Sequence, residues 1–432
     1  MLDDDWDNPI VLFKLGFVFM QSKGYGLSYQ LFKRAADIVP GEASIWHNIG
    51  KLFHEVQQEE KAEEFFRKAL KCKPDYVNAL EGLSMTSVNR SDYGMAIQYA
   101  NRALAEDPDA TVAKVNRGMA YLGLKRWREG WRDYNANVGE DKNRKEIVHG
   151  EEVRWDGSKG RDVLVYGEQG IGDEISFASV LPDIIKDSKS VTLECDARLE
   201  GVFRRSFPTV DVRGTRYKKH AEWRGSKMFD ARVAIGELPQ FYRNKDEDFH
   251  GNPYLVPNPQ LAIQWRALLD SLGSKPKIGI TWTGGLPHTG QRKRSVTLDT
   301  YGLLFKSFDA DWISLQYKEP EVASAEAKYG VKIHDFEWGT RVADYDHTVA
   351  LISQLDLVIS VCTTVVHAAG GLGKECWCLV PAHPMWRYLQ DGEWFPWARS
   401  VTMYRQKGRE WPVGILLGKL RDKFGDRLRA AA

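Results

Sequence analysis

A period of 34 residues runs through the first third of this chain and limits what that third can fold into. Pro40, Pro74 and Pro108 fall at that spacing, as do Ala35, Ala69 and Ala103. Gly16, Gly50 and Gly118 share one frame, and Ser84 takes the glycine's place once. One complete unit runs from Ala43 to Asp75, with Trp46, Ile49, Gly50 and Phe53 on a first helix and Ala62, Phe66 and Ala69 on a second. Small residues let two helices approach closely, aromatic rings fill the gap, and a proline ends the second helix before the next unit starts. Three units are expected from Pro9, Ala43 and Val77. A fourth, from Thr111, keeps Gly118, Tyr121 and Gly130 but lacks the closing proline. A degenerate last unit is expected where a stack is capped or docks on another domain.

The remaining residues call for a different architecture. The segment from Asn135 to Gly160 is polar and breaks the period, so a domain junction is expected near residue 150, with Trp155 as a packing anchor. Beyond it, short apolar runs at 162–166 and 190–194 flank a glycine-rich turn and a helical stretch through Ile185. The pattern restarts at 277–282, with further runs at 312–315, 356–360 and 376–380. Strand–helix–strand succession predicts parallel sheets, and the restart predicts two Rossmann-like units in series with a cleft between them. The expected fold class is α + α/β: a helical solenoid over 1–150, a first Rossmann-like domain over 151–260, and a second over 261–432. The stretch from Trp411 to Leu428 reads as a closing helix.

Composition narrows the function classes. A net charge of +1 gives no global attraction to nucleic acid or membrane, and no apolar run reaches the ~20 residues of a membrane helix. The acidic start Asp3-Asp4-Asp5 is unlike a signal peptide, and five cysteines do not make a disulfide framework. Both point to a cytoplasmic protein. The array supplies no chemistry of its own but offers a surface for a protein partner or self-association.

Three blocks carry candidate chemistry. In Gly167-Glu-Gln-Gly-Ile-Gly-Asp-Glu174, the glycines, Gly170 and Gly172 among them, allow close approach to an acceptor. Asp173 and Glu168 are the candidate catalytic carboxylates. Two readings of Asp173 stay open: a general base taking a hydroxyl proton, or a helix cap. The second block ends strand 277–282 in Thr283-Gly-Gly285, and Arg292, Lys293 and Arg294 follow. Those three cations suit a departing diphosphate, whereas an exposed basic run is otherwise a solvated loop. In the third, Thr363 and Thr364 open a small-residue helix whose free N–H groups form an anion site. His367 lies one turn on, in a position that serves packing as readily as a ligand.

Between Arg204 and Lys227 there are eight Lys/Arg against two acids, with Tyr217, His220 and Trp223 interleaved. Arg216, Lys218 and Lys219 are therefore candidates for holding a polyanionic acceptor, either nucleic acid or a phosphorylated glycan, with a solvated loop as the competing reading. Asp246-Glu-Asp248 has the spacing of a metal-binding acid pair but follows no buried strand. Cys376 and Cys378 supply too few ligands for zinc. No metal or cofactor is expected.

Glu168-Gln-Gly-Ile-Gly-Asp173, Ser314-Leu-Gln316, Leu355 to Ser360, His367 to Lys374 and Pro384-Met-Trp-Arg387 together resemble bacterial or phage tetratricopeptide-repeat glycosyltransferases. Those proteins are similar to heptosyltransferases and more distantly to O-linked N-acetylglucosamine transferases. The resemblance implies a GT-B fold and metal-independent, inverting transfer from a nucleotide sugar, the only co-substrate. It also implies Asp173 as base, the basic triplet and the threonine pair at the donor phosphates, and Gln316 on the donor side. Cys362 and His347 stand where that family usually carries aspartate, both on the donor side. That departure motivates a second reading, a repeat-based interaction protein that binds a nucleotide sugar without turning it over. A sugar-nucleotide epimerase, which shares the GT-B fold, is a third, and a repeat array would be unusual there. Sugar, nucleotide and acceptor are not specified by these residues.

Overall fold

The computed structural model describes residues 7–140, 144–218, 221–223, 228–285, 290–318 and 321–426. The chain divides into two compact units. One comprises residues 1–137 and, from much later in the chain, 383–390; the other comprises 138–382 and 391–432.

Four antiparallel helix pairs form the first unit: α1 (Pro9–Gln21) with α2 (Tyr25–Ile38), α3 (Ala43–Glu55) with α4 (Glu59–Cys72), α5 (Val77–Asn89) with α6 (Tyr93–Glu106), and α7 (Thr111–Gly123) with α8 (Trp127–Tyr134). Each starts at or beside a position that the period marks. The periodic glycines mark contact points. A methyl group at Gly50 would lie 2.7 Å from the Phe66 ring, and one at Gly16 2.8 Å from Phe32. Ser84 fills the same frame because its hydroxyl donates to Ala96 O at 2.9 Å, so the larger residue is accommodated as a hydrogen bond. At Gly118 the neighbour is backbone: an added Cβ would meet Tyr134 N at 2.3 Å. Phe32, Phe66, Ala35, Ala69 and Ala103 are fully buried. Removing each such ring from water is worth about 1.5–3 kcal/mol.

The fourth pair ends the array with aromatics in place of a proline. Trp131 and Tyr134 meet Trp386 edge-on at 5.6 and 5.3 Å. The Arg387 guanidinium stacks on Trp386 at 4.4 Å. Ser91 Oγ donates to Pro384 O at 3.3 Å, and Gln390 Nε2 to Ser91 O at 3.2 Å. A segment far downstream in sequence thus serves as packing for the last two repeats. The repeat unit ends at Asn137, and residues 144–158 belong to the α/β unit. Trp155 packs there on Phe241 at 4.6 Å, and its Nε1 donates to Ser158 O.

Two fully parallel sheets build the second unit. The first has the order β1-β5-β2-β3-β4, from β1 (Val153–Arg154), β2 (Asp162–Tyr166), β3 (Ser190–Glu194), β4 (Asp211–Arg213) and β5 (Ala231–Ala234). The second has the order β11-β10-β9-β6-β7-β8, from β6 (Lys277–Ile280), β7 (Asp311–Ser314), β8 (Ile333–His334), β9 (Leu357–Val361), β10 (Cys376–Val380) and β11 (Val401–Arg405). β6, β9 and β10 are buried at every position, as expected for strands covered on both faces. The helical stretch after β2 is two helices, Ile171–Ala178 and Leu181–Asp187, and the C-terminal helix is Val413–Phe424. In the second sheet the strand order reverses between β6 and β9, and in the first between β2 and β5. Parallel α/β sheets open a crevice at the carboxyl ends of the strands at such points.

Candidate functional site

The crevice of the second sheet is built by the ends of β6 and β9. Thr281 Oγ1 and Ser360 Oγ are 2.7 Å apart, and Thr281 Oγ1 accepts from Val361 N at 3.2 Å. Past them, Gly284 runs so close to the β9 turn that a methyl group there would meet Thr363 Cγ2 at 2.9 Å and Cys362 O at 3.0 Å. Ser295 ties the basic triplet to this loop: its Oγ accepts from Gly284 N at 3.1 Å and donates to Gln291 O at 2.7 Å. Arg292, Lys293 and Arg294 occupy the single turn Gln291–Arg294, with Lys293 and Arg294 half-buried; the Arg292 side chain lies outside the described residues. Gln316 braces the loop. In the amide orientation that satisfies both its ends, it accepts from Trp282 N (3.0 Å) and Thr283 N (2.8 Å) and donates to Thr283 O (3.2 Å).

Thr363 caps the helix Thr364–Gly371, its Oγ1 accepting from Val365 N at 3.2 Å. His367 is buried on that helix beside Phe395, with ring centres 5.9 Å apart. The two residues standing for aspartates are both absorbed by packing. Cys362 is buried, its Sγ 3.9 Å from Cys378 Sγ, and burial raises the Cys378 thiol well above its ordinary pKa. His347 packs edge-on to Trp338 at 5.4 Å.

The first sheet contributes the glycine loop and the helix Ile171–Ala178. This helix starts directly opposite the Thr364 helix: a methyl group at Gly172 would lie 3.0 Å from Thr364 Oγ1. Two helix N-termini, one from each sheet, therefore converge, and each presents backbone donors and a positive dipole end. Asp173 stands at this junction, half-buried. Its Oδ2 accepts from Gly170 N at 3.1 Å, the geometry of a helix cap.

Glu168 has a different environment. It is buried, and Arg144 holds it bidentately at 2.6 and 2.9 Å, with Gln169 Nε2 donating at 3.1 Å. Glu174, Glu194, Asp196 and Glu237 are likewise buried at the carboxyl edge of this sheet. Glu174 is ion-paired to Arg216 and accepts from Asp196 N at 3.0 Å. Burial raises its pKa to about 7, with Arg216 pulling the other way. Glu194 lies 2.9 Å from His149 Nε2 and accepts from Thr215 Oγ1 at 2.6 Å. Residue order did not single out Arg144, His149, Glu174 or Glu194. Glu168 and Glu194 each lie at or just past the end of an apolar strand, β2 and β3.

Among the described residues of the basic stretch 204–227, four arginines are ion-paired. Arg204 bonds Glu200, Arg205 bonds Asp346, Arg213 bonds Asp211, and Arg216 is committed to Glu174. Lys218 is exposed and Lys219 lies outside the described residues. Asp248 caps its own turn, accepting from Asn244 N and Lys245 N. No cluster of three His, Cys, Asp or Glu suited to a metal is present among the described residues. No helix among them is long and apolar enough to cross a membrane.

Known proteins bear on the two units unequally. The tetratricopeptide repeat family model matches residues 43–76. The helical unit is a tetratricopeptide-repeat array. FlbA of Caulobacter vibrioides is 28% identical over 405 residues, covering 87% of this chain, which spans 66% of FlbA's length. The peroxisomal targeting signal receptor of Kluyveromyces lactis is 28% identical over 98 residues, 23% of this chain and 17% of the receptor. Among solved structures, MamA aligns at TM-score 0.29 and 18% identity over 31% of this chain and 79% of its own. YrrB, described as a tetratricopeptide-repeat protein with an unusual peptide-binding site, aligns at TM-score 0.29 and 15% identity over 33% and 73%.

Proposed function

We propose that this chain is a repeat-guided glycosyltransferase: the array recognises a protein partner, and the α/β unit, a GT-B-like pair of sheets, transfers sugar from a nucleoside-diphosphate donor. The interaction half rests on the repeats, a scaffold with an extended surface and no chemistry of its own. The match to a peroxisomal targeting signal receptor over 98 residues, 23% of this chain, supports it as well. The transferase half rests on one observation, the convergence of the Gly172 and Thr364 helix starts with Asp173 beside them. Helix N-termini suit a diphosphate, and the cations at 292–294 follow on the loop tied to Gly284. In the proposed step, Asp173 takes the proton of the acceptor hydroxyl as its oxygen attacks the anomeric carbon. The bond to the diphosphate breaks, and the leaving charge falls on the helix starts and the basic turn.

Several contacts favour a second reading, in which the unit binds the donor without turnover. Glu168 is neutralised by Arg144, Asp173 is engaged by Gly170 N, and both usual aspartates are replaced by packed residues. Equilibrium titration with nucleoside diphosphates and their sugars separates these readings from a pure scaffold. Micromolar binding that Thr364→Val weakens at least tenfold supports a donor site. Absence of binding across purine and pyrimidine diphosphates refutes both nucleotide readings and leaves the repeat scaffold.

A further inference from the structure

We propose that Arg216 is a positioning residue: it clamps the glycine loop onto the Ile171 helix and so sets the geometry of Asp173. This rests on the transferase reading above and assigns that site a working part which touches neither donor nor acceptor.

The loop needs a clamp. Gln169, at its tip, has φ +62°, a left-handed conformation that non-glycine residues rarely adopt and that persists only where the surroundings impose it. Arg216 imposes it. One terminal nitrogen of its guanidinium donates to Gln169 O at 2.7 Å, and the other donates to Glu174 Oε1. Tyr217 completes the grip, its ring 4.6 Å from the guanidinium carbon and its hydroxyl 3.4 Å from the same carbonyl. Glu174 is fully buried in the helix and fixed from its far side by Asp196 N, so the anchor is rigid. The fork thus spans from a fixed point on the helix to the strained carbonyl, and Asp173 lies between those two attachment points in sequence. A lysine carries one point charge and cannot hold both acceptors in a fixed plane. Glycine at 167 is needed for the same arrangement, since a Cβ there would lie 2.6 Å from the Glu174 carboxyl.

The test compares wild type with Arg216→Lys and with the double variant Arg216→Gln/Glu174→Gln, which avoids stranding a buried charge. Donor hydrolysis gives kcat and KM, and hydrogen exchange reports on residues 167–173. The expected result is a kcat at least tenfold lower in both variants, donor KM within about threefold of wild type, and faster exchange confined to 167–173. Unchanged kcat and unchanged exchange in Arg216→Lys would overturn the proposal, as would a loss appearing only in KM. If wild type hydrolyses no donor, the transferase reading fails by itself, and exchange alone decides the clamp: faster exchange supports it, and unaltered exchange refutes it.

Discussion

Arg144→Ala tests the assignment of Glu168 as a structural carboxylate. The Arg144 and Glu168 side chains are 5% and 1% exposed, and the guanidinium is the carboxylate's bidentate partner. Truncation leaves a buried anion to which the Gln169 amide still donates. Breaking one side of such a pair costs about 3–5 kcal/mol, a large part of the roughly 5–15 kcal/mol that holds a domain together. With a urea m-value of about 2 kcal/mol/M, the α/β unit's midpoint should fall by about 2 M, read by tryptophan fluorescence. Replacing the whole pair, Arg144→Met with Glu168→Leu, should recover most of that loss, because two apolar groups need no partner. A drop below about 1 kcal/mol in Arg144→Ala, or a double variant no better than the single, would refute the reasoning.

Other residues give sharper local tests. Burial lowers the His47 pKa from 6.5 to about 4, so the native array binds fewer protons than the unfolded chain between those values. Its stability contribution is present above pH 6.5 and lost as pH falls towards 4, by up to about 3 kcal/mol. His47→Gln should flatten that part of the urea-midpoint profile, and an identical profile would contradict the assignment. Gly118→Ala should destabilise the array by about 1–3 kcal/mol or more, because the obstructing atoms are Tyr134 backbone; thermal unfolding that stays within a degree of wild type would refute the close approach. Thr363→Ala removes a helix cap and should cost about 1 kcal/mol in the same assay, whereas Thr363→Ser should cost less than half of that.

The repeat register was the most legible part of the chain, because a 34-residue period fixes both helices and contacts at once. Gly50 and Phe66 were named together in the sequence and touch in the fold. The parallel strands were legible as apolar runs, and their ends shifted by a residue or two, as between 312–315 and Asp311–Ser314. Pairings between charged residues distant in sequence were not legible. Nothing local links Arg144 to Glu168 or Arg216 to Glu174, so the partners of these two cations are set by the tertiary fold. Gln316 bonds Trp282 and Thr283 in the loop after β6, a contact that residue order does not display. The packing of Pro384 to Gln390 with the repeats likewise depends on tertiary return, which a period search does not register.

The most direct measurement of the central claim is donor turnover by wild type and Asp173→Asn across a panel of nucleotide sugars, with binding measured in parallel. The account predicts release of one nucleoside diphosphate by wild type, slowed at least a hundredfold in Asp173→Asn while donor affinity stays within threefold. Equal turnover in the two proteins would contradict the role of Asp173. Donor binding with no turnover in wild type, even with cell extract supplied as acceptor, would contradict the transferase and favour the unit that binds the donor without turnover.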